Sequence, residues 1–423
     1  MMSVLHLSTD VTEQDTGGFL ELPFDVPNDI YEICITINVT PQAKEPCIID
    51  VGLCDPAQVR GWSGSTKYDL RISLDDATPG YLAGDLPTGR WAILLGLYVI
   101  GKSGAHVDAT VTLVKASRQW LQGDLHVHTL HSDGAYTLSE LDEIAMRNGL
   151  DFIGLTDHNT TSQNYLYPRD SSVTYIPAME LTTYRGHANL FGIPTPCDDF
   201  RVQVPADVIG LLQEAKRRGA RISVNHPYDD GGPSCQWQWG YDVPFDWLEV
   251  WNGPWRPSNE QSVALWQIML AQGRRVIAVA GSDTHREHPY VRHGYPTTYV
   301  YASSKRASDI LSAIDAGHAS FSYCPNGPRI ELSCGLALMG DEVGASDAAI
   351  NVHIEGVEPK DVVVVITEDG EVERHEVIER GDWTTEVRKA PTRFVRAELW
   401  RYFAEVDGLR MAALSNPIFF TGA

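Results

Sequence analysis

The sequence predicts an α/β barrel flanked on each side by an all-β region. Residues 120–325 alternate short apolar runs with amphipathic helical segments, which is the pattern of a parallel barrel. Residues 1–119 and 326–423 instead show short strands separated by Gly, Pro and Asp turns. Residue types that bind metals recur directly after the apolar runs of the middle region, where such barrels carry their chemistry. These observations predict three domains with the functional site in the second.

The N-terminal region, residues 1–119, is typical of a β-sandwich. Its predicted strands lie at 33–39, 48–53, 91–100 and 107–114. Trp62 and Tyr68, in or beside a loop rich in Gly and Ser, could either pack against the sheet or offer a surface to a ligand. We assign no catalytic residue to this region.

The middle region contains four predicted helices. The first begins with a capping box formed by Thr137 and Glu140 and ends at Gly149. The other three carry apolar faces and are expected to end at Gly219, Gly273 and Gly317. Ser258, with Gln261 three residues later, is the expected cap of the third helix. About seven strands precede the last helix, with the count uncertain by one.

The C-terminal region, residues 326–423, returns to a β pattern. We expect strands at 349–354, 362–366, 392–400 and 416–420, with a hairpin turn near 367–372. No metal-binding or catalytic pattern is visible there. A stabilising sandwich without chemistry is therefore the expected role.

A metal-ligand loop is indicated by Gly123–Gly134, which reads Gly-Asp-Leu-His-Val-His-Thr-Leu-His-Ser-Asp-Gly. His126 and His128 alternate around Val127, so a strand would point both imidazoles to one side. Asp133 follows in a Ser-Asp-Gly turn. A His-x-His pair by itself is equally compatible with a structural role, so further ligands are needed to decide.

Further candidate ligands follow along the chain. They are His158, Glu180, His187, His226, Asp283 and His285. Structural histidines have no reason to fall repeatedly just beyond the ends of strands, whereas barrels and open α/β sheets place their chemistry at that position. The set therefore favours a metal site with more than one ion.

At these motifs the sequence resembles the polymerase-and-histidinol-phosphatase (PHP) superfamily of metallohydrolases, especially its carbaryl-hydrolase-like branch. The resemblance covers about residues 120–325. It rests on Asp-Leu-His-Val-His-Thr with Ser-Asp-Gly, Leu-Thr-Asp-His, the segment from Glu180 to His187, Asn-His-Pro and Gly-Ser-Asp-Thr-His, in the family's order. The resemblance implies a distorted seven-stranded (β/α)7 PHP barrel, which agrees with the strand count.

The resemblance also implies which residues hold which ion. One ion would be bound by His126, His128, Glu180 and Asp283. A second would be bound by Asp133, His158 and His285, and a third by Glu180, His187 and His226. Glu180 would then bridge two ions. We expect two or three divalent metal ions, with Mn, Zn and Fe as the candidates.

Such a centre predicts a metal-dependent hydrolase. Two ions about 3.5–4 Å apart would hold a bridging hydroxide and stabilise the charge that develops on an ester. Asp283 and His285 would belong to the catalytic centre. Arg185, Arg286 and His288 are the candidates for holding substrate oxygens or protonating a leaving group, as are the neighbouring residues Arg292 and His293. His131 is expected to support the ligands without binding a metal itself.

Three functions remain open from the sequence. Hydrolysis of a phosphoester is the first, and hydrolysis of a carbamate, amide or carboxylic ester by the same centre is the second. The loop 227–257 contains Trp237, Trp239 and Trp255, which could stack on an aromatic leaving group or simply pack on the barrel rim. The third is a catalytically silent metal-containing module that binds a carbohydrate or peptide.

Composition and charge narrow the partners. The net charge of −23 argues against extended contact with nucleic acid, which needs a basic track. No apolar run approaches the length of a membrane span, so we expect no membrane contact. The expected partner is a small-molecule ester, the substrate of the hydrolase. The seven cysteines are widely spaced, and no signal peptide is visible. We therefore expect reduced thiols, a cytoplasmic location and a mature chain that is the whole chain. The oligomeric state is left open.

Overall fold

The computed structural model describes residues 2–28, 30–74, 76–115, 117–168, 170–344, 349–387 and 393–421. The chain forms two compact units, of which the first ends at Arg118 and the second begins at Gln119. No helix in the described ranges combines the length and the hydropathy needed to cross a membrane.

The first unit is a sandwich of two antiparallel four-stranded sheets. Its strands are β1 (Met2–Val11), β2 (Phe19–Val26), β3 (Ile30–Pro41), β4 (Ile48–Cys54), β5 (Val59–Gly64), β6 (Asp69–Ser73), β7 (Gly89–Val99) and β8 (Ala105–Lys115). The sheet orders are β1-β8-β3-β6 and β2-β7-β4-β5. A 3-10 helix spans Glu13–Asp15. The four predicted segments lie in β3, β4, β7 and β8.

Alternating side chains build the core of this sandwich. In β3, Ile33, Ile35 and Ile37 are buried in a cluster that also contains residues of the other sheet. Trp62 lies close against Gly52, where a Cβ would collide with the indole ring. Packing on the sheet therefore accounts for the position of Trp62.

Seven strands of the second unit lie in one sheet in chain order. They are β9 (Gln119–Val127), β10 (Phe152–Leu155), β11 (Thr174–Thr183), β12 (Gly186–Phe191), β13 (Arg221–Val224), β14 (Trp247–Asn252) and β15 (Ile277–Gly281). Backbone hydrogen bonds connect the end of β15 to β9, because Asp283 N–H donates to the carbonyl of His126 at 2.7 Å and His128 N–H to that of Thr284 at 3.2 Å. The seven strands thus form a ring, called the strand ring below.

The strand ring departs from a regular (β/α)7 repeat. β12 runs antiparallel to both neighbours, while the other adjacent pairs from β9 to β15 are parallel. Only Tyr184 and Arg185 separate β11 from β12. A two-residue link is too short for a crossover and forces a hairpin. A 3-10 helix (Ser162–Tyr165) precedes β11, and a long loop without a helix joins β13 to β14.

Four α-helices lie at the predicted positions. They are α1 (Leu138–Asn148), α2 (Pro205–Arg217), α3 (Pro257–Ala271) and α4 (Ala307–Asp315). Each predicted terminal glycine has a positive φ, from 71° at Gly149 to 100° at Gly219, which suits a helix end. The capping box of Thr137 and Glu140 is present. The predicted Ser258 cap is wrong, because Pro257 occupies the first helical position, where its missing N–H and fixed φ are favourable.

The sheet continues from the strand ring into the C-terminal strands. β16 (Thr297–Ala302) pairs with β9, and β17 (Ala319–Ser322) pairs with β16. The remaining strands are β18 (Arg329–Cys334), β19 (Ala337–Leu338), β20 (Glu342–Gly344), β21 (Ile350–Val357), β22 (Val362–Thr367), β23 (Gly370–Glu376), β24 (Gly381–Val387), β25 (Phe394–Phe403), β26 (Gly408–Ser415) and β27 (Ile418–Thr421). A 3-10 helix spans Ala404–Val406. β26 pairs with β17, which joins the two regions in one sheet.

The predicted C-terminal strands fall in β21, β22, β25 and β27, and the predicted turn joins β22 to β23. Thr392, at the predicted start of the third of them, lies outside the described residues. The division into domains at 119/120 and 325/326 stays a prediction. Within the second unit, the strands on either side of the latter boundary share a sheet.

Candidate metal centre

All nine candidate ligands lie together at one end of the strand ring. They belong to β9 and its following loop (His126, His128, Asp133), the loop after β10 (His158), β11 (Glu180), β12 (His187) and the loops after β13 (His226) and β15 (Asp283, His285). Their ligating atoms form four overlapping groups, within each of which all atoms lie within 4.8 Å of one another. Because β12 is antiparallel to β11, its start lies beside the end of β11 and brings His187 to the same place.

His126, His128 and Glu180 are fully buried, and Asp283, with a side chain 21% exposed, lies against them. Nε2 of His126 lies 3.2 Å from Oε1 of Glu180 and 3.4 Å from Oδ1 of Asp283. Nε2 of His128 lies 2.9 Å from the same Asp283 oxygen and 3.6 Å from Oε2 of Glu180. Two atoms bound to one ion at about 2.1 Å are separated by about 3.0–3.4 Å in octahedral or tetrahedral geometry. The two distances from His126 lie in this range, and the two from His128 lie just outside it.

A second group lies nearer to solvent. The Nε2 atoms of His158 and His285 face each other at 3.2 Å, and Oδ1 of Asp133 lies 3.5 and 3.3 Å from them. The ring of His128 stacks on both imidazoles, with centroid distances of 4.2 and 4.0 Å. The Asp133 side chain is 63% exposed. This group is where a small molecule would first meet the cluster.

Glu180 connects a third group to the first. Its Oε1 lies 3.3 Å from Nδ1 of His187 and 3.4 Å from Nε2 of His226. Asn225 donates a hydrogen bond to the same oxygen at 2.9 Å. One fully buried carboxylate thus contacts histidines of every group.

The charges in the cluster favour the binding of a cation. In the part of the chain that the structure describes, the ion pairs of Glu180 and Asp283 are with histidines only. Burial opposes both negative charges, yet His126 holds the pKa of each carboxyl well below its usual range. Burial also opposes the charge of His226, but Glu180 and Asp283 raise its pKa to about 9. Protons on the imidazoles supply the positive charge that divalent ions would replace.

Burial lowers the pKa of His128 to about 4 and keeps its imidazole neutral, the form that binds a metal. Its neighbours contain buried polar atoms that no described residue satisfies by a hydrogen bond, among them His126 Nε2 and Glu180 Oε2. The latter oxygen lies 2.7 Å from Nδ1 of His158, but that nitrogen makes its hydrogen bond with Thr182 Oγ1 at 2.6 Å. Buried polar atoms without a hydrogen-bond partner are costly unless a cation lies between them. The side chains present thus fit the divalent ions that the resemblance implies.

Two of the candidate ligands have strained backbones. His226 has a φ of 24° and Asp283 a φ of 52°, in the left-handed region that non-glycine residues rarely adopt. Such conformations cost on the order of 1–3 kcal/mol and persist where the surrounding structure enforces them, often at functional sites. Both residues directly follow strands of the ring, where the chain turns towards the cluster.

Buried acids hold the ligand loops, and the sequence analysis gave them no role. Asp157 accepts hydrogen bonds from the backbone and hydroxyl of Thr129 and from Ser132 Oγ, all at 2.8–3.0 Å, and so shapes the loop between His128 and Asp133. Asp124 accepts from the backbone N–H groups of Ser282, Gly294 and His126 at 2.9, 2.7 and 3.1 Å. For Asp124, a charged residue inside the strand β9 was the available signal.

Glu249 and Asn252 were missed as well. Both lie on β14, whose six residues are all buried, and the apolar run of residues 247–251 by itself predicts a strand whose Trp247 and Trp251 lie in the core. That expectation is confirmed for Trp247 and Trp251, each 1% exposed. A single carboxylate between Leu248 and Val250 was the signal that the strand does more than pack.

The candidate substrate residues lie on loops beside the cluster. Arg185 and Arg286 are exposed, and neither makes an ion pair with a described residue. The guanidinium of Arg185 lies over the ring of Trp239 at 5.5 Å. His288 is exposed and lines a cavity of about 310 Å³ together with Arg292. Contact of these residues with substrate stays a prediction.

Two neighbouring histidines make structural contacts. His293 is fully buried, with Nδ1 3.4 Å from Oε1 of Glu287. His131 lies between loops, with Nδ1 2.7 Å from Ser162 Oγ. Neither belongs to the four groups of ligating atoms. For His131 this agrees with the expected supporting role.

The aromatic loop packs against the strand ring. Trp237 and Trp239 are only 6% and 9% exposed. Their indole N–H groups donate to Gly240 O at 2.6 Å and to Thr183 Oγ1 at 3.0 Å. Trp255 is half-buried and meets two other indoles edge to face. Of the two roles considered for this loop, packing is the one that the geometry supports.

Comparison with known proteins adds similarities of fold. No family model matches the chain, and no curated protein matches it. Among solved structures it is similar to a two-domain protein from Bacteroides vulgatus described as containing a predicted PHP-like metal-dependent phosphoesterase. That protein is 16% identical, with 71% of this chain and 96% of the other covered and a TM-score of 0.41.

An amidohydrolase from Chromobacterium violaceum, solved with bound sulfate and no metal, is also similar. It is 16% identical, with 40% of this chain and 89% of the other covered and a TM-score of 0.28. At these identities its function has to be argued from its own residues.

Proposed function

We propose that this chain is a divalent-metal-dependent hydrolase of the PHP type that acts on phosphoesters. The observation that carries the proposal is the pair of carboxylates of Glu180, fully buried, and Asp283, partly buried, which are surrounded by imidazoles and have no lysine or arginine partner among the described residues. A structural ion pair would use a permanent cation. Imidazoles can instead give up their protons and bind an exchangeable metal cation.

We assign the side chains to ions as the resemblance implies; the four groups of ligating atoms overlap, and Asp283 is grouped with His126 and His226. His126, His128, Glu180 and Asp283 would hold one ion; Asp133, His158 and His285 would hold a second; His187 and His226 with Glu180 would hold a third. When bound, such ions lower the pKa of a shared water and polarise the ester. Mn, Zn and Fe all accept this donor set.

The residues of the chain itself orient the substrate. Asp133 and His285 lie at the exposed side of the cluster, so the ester enters past them. Arg185 and Arg286 offer guanidinium groups without a described ion-pair partner in a protein of net charge −23. Guanidinium groups bind phosphoryl oxygens in bidentate fashion, and a carbonyl substrate has no comparable set of charged oxygens. This favours the phosphoester over the carbamate or carboxylic ester.

The test compares paired substrates that share one aryl leaving group. After reconstitution with Mn²⁺, Zn²⁺ or Fe²⁺, we expect faster hydrolysis of the aryl phosphate mono- or diester than of the aryl carbamate or acetate. Replacing Arg185 or Arg286 by Ala should cost about 2–4 kcal/mol in kcat/KM, or about 30- to 1,000-fold, on the phosphate only. Arg201→Ala, an equally exposed arginine paired with Asp199, is the control.

The alternatives give different results. Faster turnover of the carbamate, with Arg→Ala changes affecting both substrates alike, would replace the phosphoesterase by a carbonyl hydrolase. Stoichiometric metal without turnover of any ester would indicate a binding module. Full activity with less than one equivalent of transition metal per chain would exclude the metal mechanism itself.

A further inference from the structure

Strand β14 contributes no ligand, yet two of its side chains hold ligands that come from three other strands. Glu249 and Asn252 point to the cluster, and both are 2% exposed. Their partners are His126 on β9, His226 after β13 and Asp283 after β15. This strand therefore holds candidate metal ligands in position without providing one itself.

Glu249 uses its two oxygens on two different ligands. Oε1 lies 2.9 Å from Nδ1 of His126, and Oε2 accepts the backbone N–H of His226 at 2.9 Å. In the neutral imidazole, the form that binds a metal, the first contact would place the proton of His126 on Nδ1 and leave the Nε2 lone pair towards Glu180 and Asp283. The second contact holds the backbone of His226, which has a φ of 24°. One carboxylate thus sets the tautomer of one ligand and the backbone of another.

Asn252 extends the same support to a third ligand. Its Nδ2 donates to Oε2 of Glu249 at 3.1 Å and to Oδ2 of Asp283 at 3.2 Å. Arg256 donates to Oδ1 of Asn252 at 3.1 Å and so fixes which way the amide points. The amide group can therefore act only as a donor towards both carboxylates.

Glu249 is poorly explained by packing alone. Its described partners are a histidine, a backbone N–H and an amide, and none is a lysine or arginine. A buried carboxylate without such a cation is less favourable than an apolar residue of the same size. Its retention makes sense if the ligands it orients bind a cation.

We infer that Glu249, assisted by Asn252, is a positioning residue of the metal centre, an inference that rests on the proposed function. Glu249 does not touch the ion or the substrate. It acts through His126 and His226. Removing its charge lowers the basicity of His126, and a Gln has one acceptor oxygen where Glu249 uses two, so one of the two contacts is lost and the metal is held more weakly.

The experiment measures Zn²⁺ affinity by competition with a chelator for the whole chain and for Glu249→Gln. We expect at least one Zn²⁺ to bind about 10- to 100-fold more weakly in the variant. The visible absorption of the Co²⁺-loaded protein should change as well, because ligand geometry changes. The matched control is Glu398→Gln, which removes a carboxylate that is 6% exposed and pairs with Arg396 in β25. Its Zn²⁺ affinity should equal that of the wild type.

Each outcome decides a separate question. Equal Zn²⁺ affinity and an unchanged Co²⁺ spectrum in Glu249→Gln overturn the inference and leave the proposed function standing. Absence of Zn²⁺ binding by the wild type overturns the proposed function. Urea unfolding of the metal-free proteins shows whether both variants lose stability to a similar extent. If Glu249→Gln does not fold, Asn252→Ala decides, with weaker Zn²⁺ binding in support of the inference and unchanged binding against it.

Discussion

The two ends of the strand ring differ in the partners of their acidic side chains. Where β13 and β14 begin, Asp246 contacts Lys216 at 2.5 Å, and Asp315 contacts Arg221 at 3.0 Å and the indole N–H of Trp247 at 3.2 Å. Where the strands end, the carboxylates of the cluster meet imidazoles and amides. At the first end, the carboxylates are paired with Lys216 and Arg221, which are permanently charged. At the second end, Glu180 and Asp283 have no such cation among the described residues.

Buried polar atoms without hydrogen-bond partners indicate the functional site better than the volume of a cavity does. The end with the ion pairs contains the larger cavity, about 450 Å³, lined by Lys216, Arg221, Asp246 and Asp315. Its charges already have partners of opposite sign. The ligand end instead contains buried atoms that no described residue satisfies with a hydrogen bond, among them His126 Nε2 and Glu180 Oε2. We therefore place the function at the ligand end.

The largest expected effect comes from Glu180→Gln, which removes the carboxylate shared by the ligand groups. We expect kcat/KM to fall by about 1,000-fold or more, about 4 kcal/mol or more, because the ions lose a bridging charge. Elemental analysis after dialysis should show the loss of at least one metal equivalent per chain. A Gln variant with full metal content and full activity would show that the two ends of the ring do not differ in the way described.

Removal of the metal should destabilise the protein by an intermediate amount. Ions that bind only the folded chain add about 2.7 kcal/mol of stability when present at 100 times their dissociation constant. We expect chelator treatment to lower the thermal unfolding midpoint of the wild type. Adding Zn²⁺ back should restore it. An unfolding midpoint that does not depend on metal would contradict the assignment of the cluster.

The smallest effect is expected at the opposite end, from Asp315→Asn. This change weakens the contacts with Arg221 and Trp247, and we expect a loss of about 0.5–1.5 kcal/mol in the free energy of unfolding. The Asp315 side chain is 37% exposed, so solvent limits the cost. Denaturant unfolding measures the effect, and metal content should remain that of the wild type. A loss of metal here would mean that the two ends are coupled.

Local sequence patterns were sufficient for much of the second unit. Alternation around Val127 predicted that His126 and His128 share a side, and both are buried in the cluster. The capping box of Thr137 and Glu140 was readable because its partners are three residues apart. Ser258 was read wrongly as a cap, since the competing preference of Pro257 for the first helical position was not weighed.

The sequence by itself determined which residue types follow each strand, and hence the nine candidate ligands. It could not determine that β12 turns back on β11 or that β15 closes on β9, which brings those ligands to within 4.8 Å of one another in groups. Nor could it reveal the role of Glu249, because its partner His126 is 123 positions away in the chain. Ligand spacing and helix caps are local, within a few residues, whereas support from β14 depends on strand pairing, which exists only once the ring has closed.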